Sequence, residues 1–335
     1  MKAFVHLGIS GVENTRIEEI TSPEPGPLEV KVKVITAGLN HRDLFILDRN
    51  KEKTPLVLGS DAAGIVEEIG SDVEGISVGQ EVVINPGLNW PEESEAPPED
   101  FQLVGFPGNG TFAEFAVVPA ANLEPKPPHF TWEEAGTFSL AALTAYRALV
   151  TRANLQPSHT LLLPGAGSGA VTFMLLFAKK IGARVIVTSR SEEKRKRALE
   201  LGADKAIDSE GDWNEQLEEE KADIVIDTVG AVTFQKSLDQ LKKGGTMVIF
   251  GASAGDEVTL NLRSFFYGQY NLLGSTMGSH EEYQDMLAFI SKHNIHPVVD
   301  KVYPLEEAAE AMKYLEKASQ FGKIALRVAD EKEEL

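Results

Sequence analysis

The sequence predicts an α/β protein in two parts: a doubly wound parallel sheet and, beside it, a small β-rich barrel. Three observations carry this. From about residue 130, short apolar strands alternate with amphipathic helices, the pattern of a parallel sheet covered on both faces. Before residue 125, short strands are punctuated by glycines and helices are scarce, which points to a barrel. The length of 335 residues exceeds what a single core ordinarily organises.

In the first part, "EVKVKVITAG" (29–38) alternates with period two and reads as a half-buried strand. "AAGIVEEIG" (62–70) and "GQEVVIN" (79–85) follow as strands. The stretch 85–110 carries five prolines and much acid without periodicity, and reads as a long loop or lobe. Residues 119–135 form a stiff connector, followed by a helix from 131 to about 155 with Glu133 and Glu134 in its first turn. "TLLLPGAG" (160–167) is an apolar strand, "AVTFMLLFAKKIGA" (170–183) a buried helix, "RVIVTS" (184–189) a strand and "SEEKRKRALELGA" (191–203) a helix. Strands continue at 221–230, 245–254 and 270–278. Helices at 280–293 and 304–319 precede a closing strand at 322–328 and an acidic end expected to fray.

Lys and Arg number 32 against 51 Asp and Glu, a net charge of −19. Such a chain repels a phosphate backbone, which argues against nucleic acid as a partner. With no cysteine, disulfides and thiolate metal sites are excluded. The N-terminus lacks a signal-peptide pattern and no apolar stretch is long enough to span a bilayer, so the expected location is cytoplasmic, with no membrane partner.

The strongest chemical signal is "LLLPGAGSGAVTF" (161–173), which places Gly165, Gly167 and Ala170 in G-x-G-x-x-A spacing between an apolar strand and a buried helix. Gly165 permits the tight turn, Gly167 a close approach to a pyrophosphate, and Ala170 close helix packing. The helix start at Ser168, Gly169, Ala170 and Val171 offers free N–H groups to phosphate. At the tip of the next strand stand Ser189 and Arg190, with Lys194 beyond. Where an acid would bind the ribose of NAD, these residues suit the 2′-phosphate of NADPH.

These motifs, in order, resemble the medium-chain dehydrogenase/reductase superfamily over nearly the whole chain: "AGLNHRDL", "LGSDAAGIVEEIGSDV", "VGQEVV", "GTFAEF", "LTAYRAL", "RALELGAD", "GGTMVIFG" and "FGKIAL". The resemblance implies a GroES-like catalytic barrel from 1–124 and 279–335 around a Rossmann domain at 125–278. At the three catalytic zinc positions of the zinc enzymes stand Asn40, Ser60 and Leu140, with Asp61 where the family has Glu. None is a usual zinc ligand, so no metal is expected; a cluster of His41, Asp43 and Asp61 is the remaining candidate. The pattern is similar to the zinc-free quinone oxidoreductase and enoyl reductase branches, including N-x-x-D at Asn40 and Asp43.

The expected activity is NADPH-dependent, zinc-independent reduction of a small hydrophobic quinone or α,β-unsaturated carbonyl bound between the domains. One alternative is an enoyl-thioester reductase, although no basic cluster stands outside the Arg190–Lys196 region. Another is an NADPH-binding sensor or structural protein with little turnover. Asn40 is a candidate donor to substrate or ribose, or else a local cap; His41 a proton donor or a surface residue. Ser60 and Asp61 orient a loop or water, or form a turn. Thr144 resembles the family threonine beside the nicotinamide, or bonds its own backbone. Phe45, Trp90 and Phe106 wall a pocket or sit in the core. Thr228, Gly251, Ala252 and Ser253 end strands at the ligand edge of the sheet. Thr276 and Met277 resemble the segment over the carboxamide, part of an edge through which relatives dimerise, so a homodimer is expected. Lys323 resembles a lysine facing the cofactor, or is a surface charge.

Overall fold

The computed structural model describes residues 1–329; most of the acidic end expected to fray lies outside the described residues. The chain divides into two compact units, one of Met1–Ala141 with Gly278–Leu335 and one of Ala142–Met277. The first crossing lies later than the sequence places it. The helix Trp132–Ala135 packs on the strands Glu29–Gly38 and Asp61–Ile69, and the Leu140 N–H donates to the Asp61 carboxylate at 2.9 Å. These contacts hold 125–141 in the first unit.

The first unit is built on Glu29–Gly38, whose alternating burial in its first half follows its alternating sequence. In its seven-stranded sheet the order runs Leu123–Pro125, Glu81–Ile84, Asp61–Ile69, Glu29–Gly38, Lys323–Arg327, Val299–Pro304, with Phe115–Pro119 also paired to the central strand. Its core gathers Val30, Val32, Val34, Leu58, Val66 and Ile324. Register does the positioning. Gly38 lies opposite Asp61 on one side and Ala325 on the other, and Leu39 N–H reaches Ile324 O at 3.0 Å. Three strands thus bring Asn40, Asp61 and Lys323 to one place. The chain then turns into a helix, His41–Arg49, that the sequence reading did not contain.

The second unit is a six-stranded parallel sheet in the order Lys205–Asp208, Arg184–Ser189, Thr160–Pro164, Ala222–Asp227, Leu241–Ile249, Asn271–Gly274. The fully buried Thr160–Pro164 lies where the strand order reverses, the ligand position in doubly wound folds. Lys205–Asp208, short and only partly buried, gave no apolar run to read. The long helix expected from 131 is broken into Trp132–Ala135, Ser139–Tyr146 and a π-helical Arg147–Arg152. Gly136 interrupts it, closing on Thr36, where a Cβ would stand 2.4 Å from the carbonyl oxygen. No helix of the described residues is long and apolar enough to cross a membrane.

Gly38 sits one residue before this convergence ends. A Cβ there would lie 2.6 Å from Thr137 Cα and 2.7 Å from Gly136 O, backbone that cannot step aside. Gly38→Ala is expected to cost about 2 kcal/mol by overpacking, read as a lower urea midpoint. Gly108→Ala, with nothing within 4 Å of its Cβ, is the control expected to stay within about 0.5 kcal/mol.

Candidate active site

In the first unit the polar knot at the end of the central strand is a closed, buried network. Lys323, 3% exposed, donates to Leu39 O at 2.7 Å and to Asn40 Oδ1 at 2.5 Å, and lies 3.5 Å from Asp61 Oδ2. Asn40 Nδ2 donates to Asp61 Oδ2 at 2.9 Å. Both ends of the Asn40 amide are therefore held, and Asn40 also forms a capping box with Asp43 at the start of the helix it precedes. In that box the Asp43 Oδ2 accepts the Asn40 N–H at 2.7 Å. Lys323 is not a surface charge, and it sits among the residues of the first unit.

Arg42 leaves the same turn. Its Nη1 donates to Ser60 Oγ and, at 3.0 Å, to Val104 O; Ser60 Oγ also reaches Val104 O, at 2.9 Å. Burial pushes the Arg42 pKa below its usual value, opposed by the charges of Asp43 and Asp61. Burial likewise raises the Asp61 carboxyl and lowers Lys323, each opposed by the other's charge. Asp43 is fully buried; desolvation, only partly offset by Arg42, pushes its pKa up to about 6. Its Oδ1 has no hydrogen-bond partner.

The resemblance puts zinc ligands at Asn40, Ser60 and Leu140, and the structure allows their chemistry to be tested. Leucine offers no donor atom. The Asn40 amide is spent on Lys323 and Asp61, and the Ser60 hydroxyl is bonded to a guanidinium that would repel a metal. With no cysteine in the chain, the 85–110 lobe lacks the four thiolates of a structural site. The residues do not fit zinc at either place. The candidate cluster of His41, Asp43 and Asp61 is not formed. Among the described residues no group of three or more His, Asp and Glu could hold a metal ion, and His41 is an exposed residue whose ring stands edge-on to Phe45 at 5.0 Å and is partly covered there. Burial still lowers its pKa. Of the other aromatics, Trp90 is 2% exposed and packs on Phe101, Phe106 packs against the core, and Phe45 is exposed.

The second unit carries the dinucleotide features. Gly165 (φ 86°) and Gly167 (φ 102°) are in the left-handed region, which favours glycine. Their turn is fixed by Gly165 and Ala166 N–H groups donating to Thr188 O at 3.1 and 2.8 Å. Ser168 caps the helix Gly169–Ile181 by accepting from Val171 N, and Ala170 lies in its first turn. At the tip of the neighbouring strand Ser189 is buried and Arg190 exposed. Ser191 Oγ accepts the Lys194 N–H, while Arg195 turns inward to Ser189 O at 2.6 Å. Beyond Ala222–Asp227, the Asp227 carboxylate gathers Val229 N, Gly230 N, Thr233 Oγ1 and Ser237 Oγ at 2.7–3.0 Å and so shapes the turn at Thr228. Gly251 packs on that turn, where a Cβ would be 3.0 Å from Thr228 O, and Ser253 Oγ reaches the same oxygen at 3.4 Å; Ala252 lies between them. Thr144 Oγ1 contacts Met277 Sδ at 3.6 Å, and Met277, next to Thr276, holds φ 31°. These residues fit a nicotinamide dinucleotide: free helix N–H groups, close backbone approach and a strand tip without an acid.

Residues 26–128 match the alcohol dehydrogenase GroES-like domain, and 171–292 match the zinc-binding dehydrogenase model. A zinc-type alcohol dehydrogenase-like protein of Schizosaccharomyces pombe is 36% identical, covering 98% of this chain and 99% of its own. A crystal structure of an NAD-dependent alcohol dehydrogenase superposes with TM-score 0.92 at 38% identity, over 98% of this chain and 100% of that one. A 2-octenoyl-CoA carboxylase reductase from a Streptomyces species, in complex with NADP and 2-octenoyl-CoA, gives 0.86 at 27% identity over 100% and 89%. The chain belongs to the medium-chain dehydrogenase/reductase family of oxidoreductases, with a GroES-like domain and a Rossmann-like domain.

Sequence reasoning missed Arg42, Asp227, Arg195 and the Leu140 amide. Arg42 lay in the quoted motif, but its partners Ser60 and Val104 are 18 and 62 residues away. Asp227, at a strand end before T-V-G, offered a readable signal.

Asp43 gives a pH prediction. Its folded pKa of about 6 lies above the ordinary value of about 3.9. Below pH ~4 both states hold the proton and it contributes nothing. As pH rises, the unfolded chain releases the proton first, so stability falls until the folded pKa is passed. The loss is about 3 kcal/mol by linkage. Asp43→Asn keeps an acceptor for the Asn40 N–H and removes the charge. Its urea midpoint relative to the parent is expected to climb from acid to neutral pH. A parallel pair of curves would contradict the assignment.

Proposed function

We propose that this oxidoreductase uses NADPH, without zinc, to reduce a carbon–carbon double bond conjugated to a carbonyl. The observation that carries the reading is the buried network at the expected zinc position: it holds cations of the chain itself, Lys323 and Arg42, and no metal donor set. Oxidising an alcohol calls for a Lewis acid on the alkoxide. Reducing an electron-poor alkene needs only hydrogen-bond donors for the oxygen that becomes charged.

Gly165, Gly167, Ser168, Gly169, Ala170 and Val171 would hold the pyrophosphate, Ser189, Arg190 and Lys194 the 2′-phosphate end, and Thr228, Gly251, Ala252, Ser253, Thr276 and Met277 the nicotinamide end. Thr144 would contact the nicotinamide. When bound, that cofactor supplies a hydride. The Lys323–Asp61 pair keeps Asn40 in one orientation and, with Asp43, fixes the turn from which Arg42 departs. The similarity to a reductase solved with NADP and 2-octenoyl-CoA supports a thioester as the carbonyl compound. A quinone is the other acceptor.

Absorbance at 340 nm, followed with NADPH and with NADH against crotonyl-CoA, a short enone and a quinone, tests the reading. Consumption of NADPH with an unsaturated carbonyl, giving the saturated product and unaffected by chelator, is expected. A rate lost to chelator and restored by zinc would overturn the metal-free assignment; flat traces throughout would leave a binding protein with little turnover. Arg190→Glu is expected to weaken NADPH at least tenfold, as loss of a charge-assisted contact of ~1.5–3 kcal/mol implies, with NADH little changed. An unaltered preference would remove Arg190 from the 2′-phosphate site.

A further inference from the structure

Two cations stand in the buried site, and they are not equivalent. Lys323 spends its donors on the chain, reaching Leu39 O, Asn40 Oδ1 and Asp61 Oδ2. Arg42 does not. Only its Nη1 is engaged, by Ser60 Oγ and Val104 O; Nε and Nη2 meet no hydrogen-bond partner among the described residues. No carboxylate of those residues is within ion-pair distance of the guanidinium; Asp43 and Asp61 act on it from further off. The side chain is partly buried, and a partly desolvated guanidinium without a carboxylate is a site for an anionic oxygen. Its two anchors hold Nη1 in place, which leaves the donors on the rest of the rigid fork for a ligand. It is also one hydrogen bond from Ser60, the position at which the related zinc enzymes carry a metal-binding histidine.

We propose that Arg42 is a catalytic residue that binds the carbonyl oxygen of the substrate and stabilises the negative charge that forms on it. This deepens the reading above and rests on it. A bound reduced nicotinamide would supply the hydride, which forms the new C–H bond at the β-carbon of the substrate. The alkene π pair shifts to join the α-carbon to the carbonyl carbon, and the carbonyl π pair moves to oxygen, giving an enolate. Arg42 donates hydrogen bonds to that oxygen and keeps its own protons. Water then protonates the α-carbon as the carbonyl re-forms, and the hydroxide left is neutralised by solvent. One acceptor is reduced, one nicotinamide oxidised and one proton consumed. Ser60 and Val104 are positioning residues, acting through the guanidinium.

Arg42→Gln and Arg42→Ala are compared with the parent for kcat with crotonyl-CoA and an enone, for NADPH affinity and for melting temperature. Loss of an oxyanion donor implies a fall in kcat of about 10²–10³-fold, with NADPH affinity and melting unchanged. Millimolar guanidinium chloride is expected to restore part of the Arg42→Ala rate, and potassium chloride none. A folded Arg42→Gln with kcat within threefold of the parent overturns the assignment, as does equal response to the two salts. Should both variants fail to fold, Arg42→Lys decides. It keeps the charge but not the fork, so a kcat at least tenfold below the parent is expected, and a parental kcat overturns the proposal. A parent inert toward every unsaturated carbonyl removes the functional reading and this inference together; an active parent with a parent-like Arg42→Gln removes this inference alone.

Discussion

The first unit turns on one buried ammonium. Lys323 comes from the last strand, Asn40 from the end of the central strand and Asp61 from the start of the next. An unpaired charge at this depth would be strongly destabilising. The three groups are tolerable only together, so pairing errors that slip any one strand leave a charge or an amide exposed to apolar surroundings. A one-residue slip would also turn each side chain to the other face. The ion pair is thus weak evidence for stability in itself and a strong constraint on register.

That constraint explains the division of labour at the helix His41–Arg49. Asparagine is a favoured cap, and here its side chain serves the lysine and the aspartate as well. Asp43 completes the capping box from inside the helix and is buried for it. Burial of this carboxyl, one oxygen bonded and the other unpartnered, pushes its pKa up to about 6. The cost of orienting Asn40 appears at a residue three positions away.

Much of this was legible in the sequence where the signal is local. Glu29–Gly38 follows from period-two alternation, and the strand–glycine–helix run from Thr160 to Ile181 from an apolar stretch and its turn. The three substituted zinc positions could be read directly. What was not legible depends on closure across the chain. Lys323 read equally as a surface charge, because its burial requires pairing with residues 262–284 positions away. His41–Arg49 read as a polar knot because its buried face is narrow: only Asp43, Ile46 and Leu47 are fully covered. Arg42 showed no function until Ser60 and Val104 were brought beside it.

The charges of the site decide which of its groups can meet an anion. Asp43 and Asp61 are the two acidic groups of the network and Lys323 and Arg42 the two basic ones, so their formal charges cancel. Neutrality alone would make it a poor place for a new negative charge, but the balance is not even in space. Asp61 lies against Lys323 and shares Asn40 with it, while Asp43 points its bonded oxygen at the Asn40 backbone and makes no contact with the guanidinium. In a medium of low effective dielectric, charge felt at hydrogen-bond distance outweighs charge felt from beyond it. The Nε and Nη2 donors of Arg42 therefore meet no carboxylate among the described residues, whatever the neutral total. A zinc ion would bring two charges on three ligands; the role proposed for Arg42 asks the same of one arginine, anchored by a serine and a carbonyl.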